Sequence, residues 1–402
     1  MSSDTDAEIL VLGASFAGIE LVHRLVRAFD GRPPSIVVVD RQPAHGYLPL
    51  VQERLTGVLD AEASRLDTRA FIDSVPGARF VQGEVERFDP ESKTATLADG
   101  STLRARFVVV ALGSGFEAPE AIDGAERIIT YKGETAFERA REVLGERLAD
   151  VEGQPEVLVV GGGISGCELA GQLAALNASR PDGWAAPTVR LVTSGATVVP
   201  GMGARISSKA TRALEGQGVV LETSSRLVAV RDGIAVLARG GETREVDAGL
   251  VLWAGGVCPS AVLSELGLPR TEAGWLKVGP SLQCFAEPQM RRPDVFACGD
   301  AVRVCGGEGE WPTMQRAIEC IWQAQVVARN IKLLHEQPAD YPDGVPPLHP
   351  HSLRREFFYG LSLGARSMVV YRGLGLDLPG INHWFRRWLM RQYFARYKPL
   401  PG

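Results

Sequence analysis

The chain carries the same punctuation twice. Ile9-Leu10-Val11-Leu12 runs into Gly13-Ala14-Ser15-Phe16-Ala17-Gly18. About 150 residues later, Val157-Leu158-Val159-Val160 runs into Gly161-Gly162-Gly163-Ile164-Ser165-Gly166. An unbroken apolar run of this kind reads as a strand buried on both faces, which belongs in a parallel sheet. The first glycine of each loop permits a tight turn out of the strand, and the last permits close packing of helix on strand. The helix then turns its N-terminal N–H groups and positive dipole end towards a pyrophosphate. One such loop is weak evidence; two mean two dinucleotide sites in one chain. The expected fold class is α/β: two Rossmann-like dinucleotide-binding domains, the second inserted in the first, plus a small C-terminal region.

In the first unit, Ile19, Leu21, Val22, Leu25 and Val26 mark a helix. The strand Ile36-Val37-Val38-Val39 ends in Asp40, about 20 residues past the loop, where a carboxylate accepts ribose hydroxyls. Ser15 takes the place of the usual middle glycine; it is small and can donate to phosphate. The strand Phe107–Ala111 brings Gly113 back beside the loop. Gly13, Ser15, Phe16, Ala17, Gly18, Asp40, Arg41 and Gly113 are therefore candidate contacts of the first dinucleotide.

Pro119 and Asp123-Gly124 mark a crossover, and residues 134–150 have helical spacing. In the second unit, Gly161, Gly163 and Gly166 are the candidate contacts, with a helix over 167–176 and a strand Val189–Val192 ending at Thr193-Ser194. Residues 219–237 read as paired strands turning at Asp232-Gly233, and Leu250–Gly256 leads back to the first domain. The predicted divisions are 1–115, 116–258, 259–345 and 346–402.

A third motif makes the assignment specific. Val295-Phe296-Ala297-Cys298 ends in Gly299-Asp300-Ala301. An aspartate delivered there by an apolar strand suits a ribityl hydroxyl of a flavin, so Gly299 and Asp300 join the candidate FAD contacts.

Composition limits the alternatives. The 402 residues suffice for two or three domains, and a net charge of −5 argues against nucleic acid as a partner. No apolar run approaches the roughly 18 residues that a spanning helix needs. The polar, acidic start Met1-Ser2-Ser3-Asp4-Thr5-Asp6 does not read as a secretory signal, so a cytoplasmic chain is expected. Six cysteines are present, none before Cys167 and none in CxxC spacing. Neither a zinc knuckle nor a dithiol after the first loop is written here.

With these motifs in place, nearly the whole chain resembles the two-dinucleotide-binding-domain flavoproteins, and within them the type II NADH:quinone oxidoreductases. The shared pieces are the first loop, Gly163–Gly171, Leu252-Trp253-Ala254-Gly255-Gly256, Phe296–Ala301 and Ser362-Leu363-Gly364. His45–Leu50 is similar to the stretch that packs against the flavin after the first helix in that family. The resemblance implies FAD, an NADH or NADPH donor and a membrane quinone acceptor. It implies hydride transfer from a nucleotide docked at Gly161–Gly166, by a ping-pong or ternary course. Glu168 matches a carboxylate facing the flavin–nicotinamide region, a candidate proton relay. Gln315 matches the first glutamine of an Ala-Gln-x-Ala-x-Gln quinone-site element, written here Met314-Gln315-Arg316-Ala317-Ile318-Glu319. Glu319 replaces the second glutamine and is a candidate proton donor. Thr193 replaces the acid that binds the NADH ribose in that family. This weakens the bar against a 2′-phosphate, with Arg190 on the same strand as a possible source of charge.

The C-terminus adds a separate expectation. At helical spacing Ile381, Trp384, Phe385, Trp388 and Leu389 share a face, extended by Gln392, Tyr393 and Tyr397, while Arg386, Arg387, Arg391 and Lys398 lie largely off it. This suits an amphipathic helix on a membrane surface, with arginines meeting anionic lipid at the inner face of the cell membrane. A homodimer contact is the competing use of the same face. Two other functions stay open. A sulfide:quinone oxidoreductase-like enzyme would use Cys167, activated at a helix N-terminus, with Cys320 or Cys305. A low-turnover flavin redox sensor is the third reading.

Overall fold

The computed structural model describes residues 6–149, 155–287, 290–306, 309–311, 315–337, 347–352 and 358–400. Met314, Asp150 and the expected division at 345/346 lie outside them.

The first apolar run forms the centre of a large sheet. Its parallel strands lie in the order Ala78–Gln82, Ile36–Asp40, Ala7–Leu12, Thr102–Val110, Arg291–Ala297. Leu12 stands level with Val39 on one side and Val110 on the other, so three strands end together at the first loop. Helices Phe16–Ala28 and Ala317–His335 pack on this sheet through Ile19, Leu21, Leu25, Val327 and Ile331, all buried. Burying such side chains contributes about 1.5–3 kcal/mol each.

The second apolar run is the centre of a four-stranded parallel sheet, ordered Val220–Glu222, Thr188–Val192, Glu156–Val160, Leu250–Trp253. An antiparallel meander, Arg226–Arg231, Ile234–Arg239 and Glu242–Asp247, covers one face through Leu227, Val230, Ala235 and Leu237. The stretch expected as one pair of strands thus divides in two. Ser224, at φ 53°, breaks it: the first piece joins the parallel sheet and only the second forms the hairpin. The chain passes between the two sheets at Ser114–Gly115 and Cys258–Pro259, which pair antiparallel.

A third small sheet, Tyr359–Leu363, Arg366–Tyr371 and Leu374–Asp377, precedes the last helix, Pro379–Arg396. One face of it lies on the second unit's helices: a Cβ on Gly171 would come 2.5 Å from the Leu363 carbonyl carbon, and one on Gly375 would meet Ile206 at 2.7 Å. The last helix covers the opposite face, where a Cβ on Gly360 would meet Asn382 at 2.7 Å.

Candidate functional site

The first loop is shaped by close backbone approach. Gly13 has φ 105°, and a Cβ there would sit 2.4 Å from the Ala111 carbonyl oxygen; a Cβ on Gly18 would lie 1.9 Å from the Gly13 oxygen. Ser15 is the N-cap of helix Phe16–Ala28, but its side chain makes no cap bond, which leaves the hydroxyl and the first-turn amides to face a ligand. Asp40 accepts from the Ala14 amide at 2.7 Å and the Gln42 amide at 2.9 Å. Arg41 points away, towards Glu84 at 3.3 Å on the surface.

The third motif closes on the first. Gly299 has φ 84°, and a Cβ on it would come 3.2 Å from the Ala17 methyl. The Gly299 amide donates to Gln323 at 2.7 Å. Asp300 is held by Lys132 and by Ser114, each at 3.1 Å, and Lys132 also reaches Ser114. Gly113, at φ 71°, precedes Ser114 in this turn. Gln315 donates to the Asp300 carbonyl at 3.3 Å. A glycine cradle with Asp40 on its Ala14 amide, the Gly299–Asp300 turn against Ala17 and a helix N-terminus without a side-chain cap fit the ribose, ribityl and pyrophosphate parts of FAD.

Glu319 stands behind Gln323 rather than beside Gln315. Helix Ala317–His335 begins after Gln315, so the two residues do not stand one turn apart on a helix face. Glu319 is 1% exposed; its carboxylate meets His351 at 2.5 Å and accepts from Gln323 at 3.3 Å. It supports the glutamine that holds Gly299.

The second loop repeats the first. Gly161 has φ 129°, and a Cβ on Gly166 would lie 1.8 Å from the Gly161 oxygen. Gly163 is the N-cap of helix Ile164–Ala175, which starts three residues before the expected Cys167. That shift faces Cys167 inward, 0% exposed, with its thiol against the Gly162 carbonyl. Burial pushes this thiol up to about 12, the reverse of the activation expected at a helix N-terminus. Cys320 is also buried, and burial together with the nearby Asp300 raises it well above its ordinary value. Arg190 is bound to Glu222 at 2.5 Å on the sheet face away from Thr193.

Glu168, 7% exposed, is a junction. It accepts from the Ser362 amide at 2.9 Å and from Gln52 at 3.1 Å, and it pairs with Arg386 at 2.8 Å. Burial raises its carboxyl above the ordinary range, although Arg386 and the Ser362 amide pull the other way. Arg386 therefore does not face solvent as its place in the sequence suggests; it joins the second unit to the last helix. Arg387 and His383 converge on buried Glu53, at 3.2 and 3.8 Å. Tyr393 packs on Phe16, ring centroids 5.0 Å apart, and bonds His45 at 2.9 Å; Tyr397 reaches buried Glu20. The expected apolar stripe divides accordingly. Tyr393 and Tyr397 face inward, while Ile381 and Trp384 are each 62% exposed and Phe385, Trp388 and Leu389 stand beside them. Lys132, Gln323 and the buried carboxylates Glu20 and Glu53 beneath the last helix carry no signal in the sequence, because their partners lie far away in the chain.

The pyridine nucleotide-disulphide oxidoreductase pattern matches residues 7–324. The chain belongs to this family. Among its relatives, a type II NADH:quinone oxidoreductase of Mycobacterium tuberculosis is 27% identical over 83% of this chain and 73% of its own. A demethylphylloquinone reductase of Synechocystis is 24% identical over 84% of each. Two solved structures share the fold. NDH2 from Plasmodium falciparum in complex with NADH has TM-score 0.80 at 13% identity, covering 97% of this chain and 96% of that one. The sulfide:quinone oxidoreductase of Aquifex aeolicus has TM-score 0.78 at 15% identity, covering 97% and 91%.

Proposed function

We propose that this family member is an FAD-dependent NAD(P)H:quinone oxidoreductase of type II, a non-proton-pumping enzyme. The closure of the Gly299–Asp300 turn on the Ala17 end of the first loop carries the reading, together with a second nucleotide loop of the same build. Bound there, FAD supplies two-electron chemistry between a reduced nicotinamide and a quinone. Gly13, Gly18 and the first helix turn hold the pyrophosphate, Asp40 the ribose, and Asp300 the ribityl chain. Glu168, two residues past the second loop and with its carboxyl raised by burial, is the candidate proton relay. We place the domain divisions at 115/116 and 258/259, where the antiparallel pair Ser114–Gly115 and Cys258–Pro259 joins the sheets.

No helix among the described residues is long and apolar enough to cross a membrane. The reading instead seats Ile381, Trp384, Phe385 and Trp388 at the inner face of the cell membrane, where a quinone enters. Leu374 and Leu376, also exposed, lie on the same side of the small sheet as the last helix and enlarge this apolar surface.

Anaerobic stopped-flow absorbance of the yellow protein tests the assignment. Rapid bleaching by NADH or NADPH and reoxidation by a short-chain quinone is the expected result. Bleaching by sulfide alone would overturn it in favour of the cysteine-dependent enzyme. For the membrane surface, Trp384→Ser/Trp388→Ser should lose co-sedimentation with anionic vesicles while keeping its flavin. Retained sedimentation refutes the lipid assignment, and loss of a dimer on size exclusion instead would give the face to a second copy.

A further inference from the structure

The two nucleotide units in this chain can be compared residue by residue, since each serves as the other's internal standard. The Gly13 amide donates to the Val39 carbonyl at 2.8 Å, and the Gly161 amide donates to the Val192 carbonyl at the same 2.8 Å. Leu12 pairs with Val39 as Val160 pairs with Val192. The next residue on the second strand is Asp40 in one unit and Thr193 in the other. They occupy the same place, at the strand end where an adenosine ribose is read.

Their chemistry differs. Asp40 carries a full negative charge to the loop, bonded to the Ala14 amide at 2.7 Å. Thr193 brings a neutral hydroxyl; it accepts from the Gly195 amide at 3.2 Å and packs against Gly162, where a Cβ would come within 2.5 Å of it. The surrounding strand ends are also neutral hydroxyls. The Ser224 amide bonds the Gly195 carbonyl and the Ser225 amide bonds that of Thr193, both at 2.9 Å, which gathers Ser194, Thr223 and Ser224 beside it. The charge on the strands Thr188–Val192 and Val220–Glu222 is already paired. Glu222 takes Arg190 on one oxygen and Arg244 on the other. Arg190 and Glu222 flank Val192 on the meander face of the sheet, and strand alternation puts Thr193 on the opposite face. The carboxylate that would repel a 2′-phosphate is missing at this position, and Arg190, which could attract one, is bound elsewhere.

We propose that Thr193 makes the second site indifferent to the 2′ substituent, so that the protein takes NADH and NADPH with comparable affinity. The proposal rests on the reading that a reduced pyridine dinucleotide is the donor. A neutral hydroxyl bonds a ribose about half as strongly as a carboxylate does. It also imposes no like-charge penalty on a phosphate.

The test titrates the FAD-loaded protein with NAD⁺ and NADP⁺ by calorimetry, apart from any turnover. The two Kd values should agree within about tenfold. Thr193→Glu should weaken NADP⁺ at least tenfold without weakening NAD⁺, and Thr193→Gln, similar in size but uncharged, should leave the ratio near that of the parent. A parent ratio beyond tenfold in either direction overturns the inference, as does a Thr193→Glu protein with an unchanged ratio. Thr193→Asp replaces the glutamate variant if that fails to fold. Comparable binding of both nucleotides with no bleaching of the yellow protein by either reduced form would uphold the inference and refute the donor assignment. Binding of neither would refute both.

Discussion

Arg386→Met removes the cation from a buried carboxylate and leaves most of the side-chain volume in place. Glu168 keeps the Ser362 amide and Gln52, but loses the 2.8 Å partner that offsets its burial. Removing one member of a buried pair costs about 3–5 kcal/mol, because the remaining charge is desolvated and uncompensated. The cost should fall on the docking of the last helix, since Arg386 also donates to the Pro49 carbonyl and so joins that helix to two other segments. At about 1.4 kcal/mol per decade, amide hydrogen exchange in the last helix should speed up by about a hundredfold or more, while the strand Ala7–Leu12 is little affected. Arg386→Met with Glu168→Gln should recover most of the protection, because position 168 then holds no unpaired buried carboxylate. The sign with pH is fixed as well. The Glu168 carboxyl is raised by burial, so its protonated form is favoured in the folded protein. A group with a raised value contributes stability at low pH that is lost as pH rises through that value. The Arg386→Met defect should therefore be smaller at pH 5 than at pH 8. Exchange in the last helix within twofold of the parent at pH 8 would refute the argument.

Three further outcomes follow from the packing. Gly18→Ala places a methyl 1.9 Å from the Gly13 oxygen, so the purified protein should be colourless, and a normal flavin content would refute the cradle. Cys167→Ala should retain nucleotide-driven bleaching, and in the parent the Cys167 thiol should react with iodoacetamide only on unfolding, since burial pushes it up to about 12. His383 is raised by its contact with Glu53, so its contribution is complete below pH 6.5 and fades as pH rises through the folded value. The stability lost in His383→Gln, measured by denaturant melts, should be larger at pH 6 than at pH 9; equal losses would assign the residue a packing role alone.

The local parts of this protein were legible in the chain. Apolar strands followed by glycine turns determined the parallel centres of two sheets, because a buried strand needs an apolar run and a close helix crossing needs a residue without Cβ. Asp40 and Asp300 could be named because each ends a strand whose direction the pattern sets. The partners of buried charge were not legible. Glu20 and Glu53 look like ordinary helix glutamates in sequence and Glu168 reads as a proton relay, yet each is held by a residue from the last helix more than two hundred positions away. Arg386 read as a lipid-facing arginine because helical spacing says which residues share a face and not which face is covered. That Glu319 stands behind Gln323 and against His351 was not legible either, because a matched motif does not reveal where its helix begins or what packs on it. Local patterning set the strands, turns and loops; desolvation, which depends on what packs over each charge, was decided only when distant segments came together.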